Sequence, residues 1–350
     1  MDKININDLD FEELEKYIIR LDEKKFHATQ IYKWLHRVGV TSFDEMTDIS
    51  KSLREKLREN TYIMRMEVME CQKSKKDGTM KFLIGLDDHC AIESVLMRYH
   101  HGNTLCVSTQ VGCKMGCKFC ASTKEGFERS LRACEIEGQI ITVERYTGEK
   151  ISNVVYMGIG EPLDNYDNVV RSIRLINCPL GLNIGARHIS VSTCGIVPKI
   201  YQLAEENIQC TLSISLHATT DEKRKEIMPI ANRYSIQELL EACKSYTKIT
   251  GRRISFEYAL ICGKNDSHED AMALVKLLRG MLAHVNLIPV NEIKNGVYKK
   301  ATEKSIEQFM NTLNSCGIVT TVRRELGSDI DAACGQLRKK YIDKNKETNV

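Results

Sequence analysis

Three cysteines, Cys113, Cys117 and Cys120, crowd into the stretch Val-Gly-Cys-Lys-Met-Gly-Cys-Lys-Phe-Cys. The C-x-x-x-C-x-x-C spacing puts them within eight residues, between a strand-like run at Leu105–Gln110 and a helix-like run that begins near 130. A structural zinc site takes four ligands, and no other cysteine lies close enough in sequence to be the fourth. A four-iron cluster also normally takes four thiolates. Three leave one iron with open coordination, which suits chemistry better than electron storage. Free cysteines often pack as small hydrophobes, and 14 of them in 350 residues will include such cases. Two glycines and two lysines in the same stretch argue against a packing role here, and the missing fourth ligand argues against a zinc knuckle.

The surrounding pattern is an α/β one. Strand candidates fall at Leu105–Gln110, Asn153–Met157, His188–Thr193, Thr211–Leu216, Ile254–Leu260 and Val285–Pro289. Helical periodicity separates them near 130–146, 166–177, 196–206, 235–249 and 268–280, with a last helix near 303–315. Six strand–helix units predict a parallel sheet with helices outside, either an incomplete barrel or a doubly wound sheet. A full eight-stranded barrel needs two more units, and Ile318–Val322 offers one further strand. Before this region, residues 1 to about 70 read as helical: Phe11, Leu14, Tyr17, Ile18 and Leu21 recur at helical spacing, as do Phe26, Ile31, Trp34 and Leu35, then Leu53 and Leu57. Asp10 is placed to cap the first helix. From 71 to 104, short alternating segments punctuated by Gly78, Asp87-Asp88 and Gly102 predict antiparallel hairpins.

Composition narrows the class. A hydrophobic fraction of 42% with 28% charged residues describes an ordinary globular chain. The start, Met1-Asp2-Lys3-Ile4-Asn5, lacks the basic-then-apolar pattern of a signal peptide, and no run approaches a membrane span. Plentiful cysteine without a small disulfide framework fits a reducing cytoplasm. A net charge of +3 is too small to announce a nucleic-acid binder, so only local clustering of Lys and Arg could support that role.

The polar residues of interest fall just beyond strand ends, where parallel sheets build active sites. Gly158-Ile-Gly160-Glu161 follows the second strand, Ser192-Thr193-Cys194 the third, Ser215-Leu216-His217 the fourth and Asn291 the sixth. Glycines let a backbone approach a ligand closely while Glu161 engages a positive group such as an amino-acid ammonium. Ser192, Ser215 and Asn291 are suited to fixing a ribose or carboxylate, though each is equally at home in a plain turn. His217 reads as part of a ligand wall, Glu93 as a surface carboxylate on a hairpin, and Cys106 as a packing cysteine. Cys334, beside Ala332, Ala333 and Gly335, reads as an accessible thiol on a pliable loop.

As a set, several segments resemble the RlmN-type radical S-adenosylmethionine (SAM) methyltransferases, a family of dual-specificity RNA adenine methylases. They are Ile92-Glu93-Ser-Val95, Leu105-Cys106-Val-Ser-Thr-Gln-Val-Gly-Cys113 and the cluster motif, with Met157-Gly-Ile-Gly-Glu-Pro-Leu163, Ser213-Ile-Ser-Leu-His217 and Met228-Pro-Ile. Asn286-Leu-Ile-Pro-Val-Asn291 and Asp329-Ile-Asp-Ala-Ala-Cys-Gly-Gln-Leu337 complete the set. Cys194 and Val290 depart from the family pattern without removing a functional side chain. The resemblance implies an incomplete (β/α)6 radical SAM barrel over 105–338, closed by a C-terminal catalytic loop. It also implies a helical RNA-docking domain at 1–70, a β-hairpin extension at 71–104 and a polar tail at 339–350.

The implied cofactors are a [4Fe-4S] cluster on Cys113, Cys117 and Cys120 and two SAM molecules per turnover, bound by Gly160, Glu161, Ser192, Ser215, Leu216, His217 and Asn291. Carbon 2 of adenine is electron-poor and cannot attack the methyl sulfonium of SAM directly. In the implied route Cys334 first accepts a methyl group from one SAM. A radical derived from the second SAM activates that methyl, which adds to the base. Cys106 then resolves the protein–RNA adduct through a transient disulfide, with Glu93 as proton acceptor. The implied partners are 23S ribosomal RNA in the peptidyl-transferase region, tRNA at the adenosine 3′ of the anticodon, and a reducing electron donor, for a cytoplasmic monomer. Arg98, Lys114, Lys118, Lys124, Arg129, Arg132, Arg323 and Arg324 are the candidate phosphate contacts. The nearest rival is the Cfr branch, which shares the cysteines but methylates carbon 8 and confers antibiotic resistance. A non-catalytic zinc-containing RNA-binding module is the rival from another class.

Overall fold

The computed structural model describes residues 3–123, 126–289, 298–330 and 337–338. Its N-terminal part is helical: β1 (Ile4–Asn5), α1 (Phe11–Arg20), α2 (Phe26–Lys33), α3 (Lys51–Asn60) and β2 (Thr61–Tyr62), with β1 and β2 paired in parallel. Asp10 caps α1 as expected. Its carboxylate accepts from the Glu13 amide (2.9 Å), and the Glu13 carboxylate accepts from the Asp10 amide (2.9 Å). Such a reciprocal box satisfies two amides that the helix itself leaves unpaired. Leu14, Ile18, Ile31, Leu35, Leu53 and Leu57 form this unit's core, which continues into Ala133 and Leu175 of the larger body. A buried pair, His36 Nδ1 to Glu137 at 2.7 Å, also crosses that junction.

The hairpins β3 (Glu67–Lys73), β4 (Met80–Gly85), β5 (Ala91–Tyr99) and β6 (Gly102–Cys106) run antiparallel. They are continuous with the parallel strands in one ten-stranded sheet. After β7 (Gln110–Gly112) and β8 (Phe127–Ser130), the chain alternates through α4 (Ala133–Thr147), β9 (Asn153–Tyr156), α5 (Tyr166–Asn177), β10 (Ile189–Thr193), α6 (Val197–Glu205) and β11 (Thr211–Ser215). It continues with α7 (Asp221–Ile227), α8 (Ile236–Thr250), β12 (Ile254–Leu260), α9 (His268–Leu278), β13 (Ala283–Pro289), α10 (Glu303–Ser315) and β14 (Thr320–Val322). The strand order is β14-β13-β12-β11-β10-β9-β6-β5-β4-β3. Every neighbouring pair from β14 to β6 is parallel, so β6 joins the hairpins to an incomplete α/β barrel.

The differences from the sequence expectation have local causes. Helical structure ends at Asn60 rather than near 70, because Glu67 already pairs with Gly85 in β3–β4. The expected strand at Leu105–Gln110 divides. Strand β6 ends at Cys106, and Gln110–Gly112 leaves the sheet to pair with β8. The break lies where the loop after β9 presses in: the Gly158 amide donates to the Val107 carbonyl (3.0 Å), and the Thr109 amide to the Ile159 carbonyl (2.8 Å). Helix α7 and the β7–β8 ribbon were not anticipated. The sequence of α7, Asp-Glu-Lys-Arg-Lys-Glu-Ile, has no apolar stripe for periodicity to detect. Glu93 is buried at 3% exposure rather than on the surface.

Candidate active site

The β7–β8 ribbon pinches the base of the cysteine loop. Gly112 has φ +81°, and a Cβ there would lie 1.9 Å from the Gly126 carbonyl oxygen, so only glycine fits this approach. Within the loop the Cys120 amide donates to the Cys117 carbonyl (3.1 Å), and the Thr123 hydroxyl donates to the Cys120 carbonyl (3.0 Å). The Lys118 amide donates to the Ile227 carbonyl (2.9 Å), which ties the loop to the end of α7.

All three cysteines face one cavity of about 400 Å³ with Gly160, Glu161, Ser192, Ser215 and His217. The topology explains the meeting: each segment follows a neighbouring strand at the same edge of the parallel sheet. Gly160 has φ +110°, and a Cβ there would meet the Thr109 hydroxyl and Gln110 Cβ at 2.7 Å each. The buried Glu161 accepts from the amides of Cys194 (2.8 Å) and Leu163 (3.0 Å), bracing the loops after β9 and β10. Burial raises its pKa against the effect of these bonds. His217 sits at φ +57° and its Nδ1 accepts from the Ala259 amide (2.9 Å), while its ring meets Phe119 of the cysteine loop edge-on at 4.8 Å. Burial pushes its pKa down to about 3, so the ring is neutral near pH 7.

The other expected residues lie elsewhere. Leu216 is fully buried and does not line the cavity. Cys106 packs with Val95, Met97, Tyr99, Met157 and Leu326, and of these all but Val95 also line the cavity. Its sulfur therefore stands behind one wall. Glu93 shares a face of β5 with Met97 but lies about 13 Å along the strand from it. It pairs with the fully buried Lys81 (2.9 Å) and accepts from the Arg338 amide (2.6 Å). Cys334, Asn291, Lys124 and the 339–350 tail lie outside the described residues. Among the candidate phosphate contacts, Arg98, Lys114, Arg129 and Arg132 are already ion-paired, with Glu149, Asp164, Asp88 and Asp8 respectively. Lys118 is exposed, as are Arg323 and Arg324, which line the cavity. Glu257, also in the lining, was missed, although a carboxylate within the apolar run Ile254–Leu260 is a signal that could have found it.

Comparison with known proteins agrees with this arrangement. A model described as the Ribosomal RNA large subunit methyltransferase N-terminal domain matches residues 4–63, and the Radical SAM superfamily model matches 107–275. A probable dual-specificity RNA methyltransferase RlmN from Clostridium perfringens strain 13 is 57% identical over 338 residues, covering 97% of each chain. One of the same description from Lachnospira eligens is 52% identical over 345 residues, covering 99% of each. The crystal structure of a radical SAM methyltransferase from Sphaerobacter thermophilus superposes with a TM-score of 0.90 at 41% identity, covering 95% of this chain and 98% of that one.

The cofactors of the radical SAM superfamily are a [4Fe-4S] cluster and SAM. Among the described residues no three His, Cys, Asp or Glu side chains are drawn together as ligands of one ion, so the shared cavity and the donor chemistry carry the test of fit. Burial pushes the Cys113 thiol up to about 11 and that of Cys117 up to about 12. Free thiols here would keep their protons, whereas iron binding would displace them. Three soft donors in one cavity whose lining also carries polar strand-end groups suit an iron–sulfur cluster beside a small polar ligand. On its sequence, fold and site, the chain belongs to the RlmN family of dual-specificity RNA methyltransferases, within the radical SAM superfamily.

Proposed function

We propose that this chain methylates carbon 2 of adenosine in 23S ribosomal RNA and in tRNA 3′ of the anticodon, acting as a cytoplasmic monomer fed by a reducing electron donor. The observation that carries the reading is the single cavity shared by Cys113, Cys117, Cys120 and the strand-end residues Gly160, Glu161, Ser192, Ser215 and His217. No helix among the described residues is long and apolar enough to cross a membrane.

When bound, the cluster and SAM supply one-electron reductive cleavage, which starts a radical reaction. The chain's own groups do the rest. Cys113, Cys117 and Cys120 would hold the cluster, three thiolates where such a cluster normally takes four. Glu161 and Gly160 shape the pocket for the amino-acid end of SAM, Ser192, Ser215 and Asn291 offer hydrogen bonds, and the backbone at Leu216 and the neutral ring of His217 complete a wall. Cys334 carries the methyl group as an S-methylcysteine. Once that methyl carbon has joined the Cys334 sulfur to the base, Cys106 attacks the sulfur, an S–S bond forms, and the S–C bond breaks with its electron pair passing to the departing methylated base; the burial of Cys106 shields it from adventitious oxidation. Glu93 lies outside the cavity lining but is held by Lys81 and by the amide of Arg338, four residues after Cys334 in the chain, and through that neighbourhood it accepts the proton. The unit at 1–70 docks RNA, and the exposed Lys118, Arg323 and Arg324 supply phosphate contacts near the cavity mouth.

The test is anaerobic methylation of ribosomal RNA by the purified protein, with the product identified by mass spectrometry against 2-methyl and 8-methyladenine standards. The reading expects about four irons per chain, a 2-methyl product, no methyl on protein in Cys334→Ala and a trapped RNA–protein adduct in Cys106→Ala. A mainly 8-methyl product would assign the chain to the carbon-8 chemistry instead. Zinc in place of iron, or normal turnover without adduct in the Cys106 variant, would overturn the reading.

A further inference from the structure

Arg224 on α7 has no part in the chemistry above, yet it is completely buried. Its Nη2 donates to the carbonyls of Cys194 (2.7 Å) and Ser215 (3.1 Å), and its Nε to that of Leu216 (3.2 Å). All three acceptors are uncharged, and they are the strand-end carbonyls behind the cavity. Among the described residues Nη1 has no hydrogen-bond partner. Asp221, an acid whose field reaches the guanidinium, already accepts from the Ile236 amide (2.7 Å). A guanidinium does not lose its proton inside a protein. Carbonyl dipoles ease its burial but do not cancel its charge, and a neutral side chain of similar size would avoid the desolvation cost.

The sulfurs within its field are those of Cys194, Cys117 and Cys243, and of these Cys117 belongs to the cysteine loop. Helix α7 is also fastened to the cysteine loop through the Lys118–Ile227 hydrogen bond, and Pro229 beyond it stands 3.4 Å from the Cβ position of Gly116. The Cys194 peptide is gripped from both ends, its carbonyl by Arg224 and its amide by the Glu161 carboxylate. A four-iron cluster on three thiolates is negatively charged and gains one more negative charge on reduction. Net charge and hydrogen bonding around such clusters set their potential.

We propose that Arg224 is a positioning residue whose fixed positive charge, lodged behind Cys117 and Cys194, stabilises the thiolate-bound cluster and favours its reduced form. This rests on the radical SAM reading. One electron enters from a low-potential one-electron reductant. No bond forms or breaks at Arg224, and its guanidinium stays protonated in both redox states.

The experiment is an anaerobic potentiometric titration of the holoenzyme with dithionite, following the reduced cluster by electron paramagnetic resonance in wild type, Arg224→Gln, Arg224→Met and Arg224→Lys. At a fixed potential the neutral variants should show at least a tenfold lower reduced-to-oxidised ratio, a shift of about 59 mV to more negative potential, while Arg224→Lys stays near wild type. Iron loss from both neutral variants with retention in the lysine variant also supports the role of charge. A neutral variant that keeps its iron and the wild-type potential would overturn the proposal. So would iron loss from all three alike, or a lysine variant displaced as far as the neutral ones. Absence of iron from the wild type would instead defeat the radical SAM reading itself.

Discussion

Lys81→Met removes the cation from a pair that water does not reach. The ammonium lies 2.9 Å from the Glu93 carboxylate, with side-chain exposures of 0% and 3%. Removing one member of such a pair costs about 3–5 kcal/mol, because the remaining charge keeps its desolvation penalty without the attraction that offset it. Unfolding entropy of about 2.1 cal/mol/K per residue gives about 0.7 kcal/mol/K for 350 residues. The melting temperature should therefore fall by about 4–7 °C. Thermal and urea unfolding, at matched iron content, measure the loss. The double variant Lys81→Met/Glu93→Gln is the decisive comparison. It removes both charges while leaving the glutamine oxygen to accept from the Arg338 amide, so it should be more stable than Lys81→Met alone. A single variant within about 1 kcal/mol of wild type, far below the expected cost, or a double variant whose loss equals the sum of the two singles, would refute the argument.

Gly160→Ala should destabilise the loop after β9 by about 1–3 kcal/mol and weaken SAM binding, because φ +110° and the 2.7 Å approaches leave no room for a methyl group. Equilibrium dialysis with labelled SAM, alongside urea unfolding, reads both effects. His217 has its folded pKa depressed to about 3 by burial, against 6.5 for the free group. The unfolded chain therefore binds the extra proton first, and this contribution to stability is complete above pH 6.5 and is lost as pH falls toward 3, with a slope of up to about 1.4 kcal/mol per pH unit. His217→Asn, which tolerates the left-handed backbone, should flatten that slope in urea midpoints measured across pH. Asp88 is held down to about 2, first by the Arg129 guanidinium. Its contribution is present above pH 3.8 and lost as pH falls toward 2, so Asp88→Asn should lower stability at pH 7 by up to about 1 kcal/mol, as for an exposed pair, and the difference from wild type should vanish as pH falls toward 2.

Much of the scaffold was legible because it is built from local periodicity. The helices at 166–177 and 303–315 and the strand Ile254–Leu260 stand where their apolar spacing put them. The cysteine loop could be read from spacing alone, and the strand-end position of Gly160, Glu161, Ser192, Ser215 and His217 anticipated their shared cavity. Other features carry no local signal. Helix α7 reads as a charged surface segment, and only its packing turns Arg224 inward beneath Cys194 and Ser215. Glu93 looks like an exposed hairpin carboxylate until β4 pairs with β5 and brings Lys81 to it. The first strand divides because residues some fifty positions later, Gly158 and Ile159, hydrogen-bond to its second half.

The three sulfur donors, their spacing and the alternation of strands and helices are properties of residues close together in the chain, so they could be read without any folding. Which distant groups meet depends on the folded sheet: the strand-end residues with the cysteines at one cavity, and Cys106 behind its wall. The fold also decides which charges are buried, because desolvation and ion pairing depend on neighbours that only the closed sheet brings together.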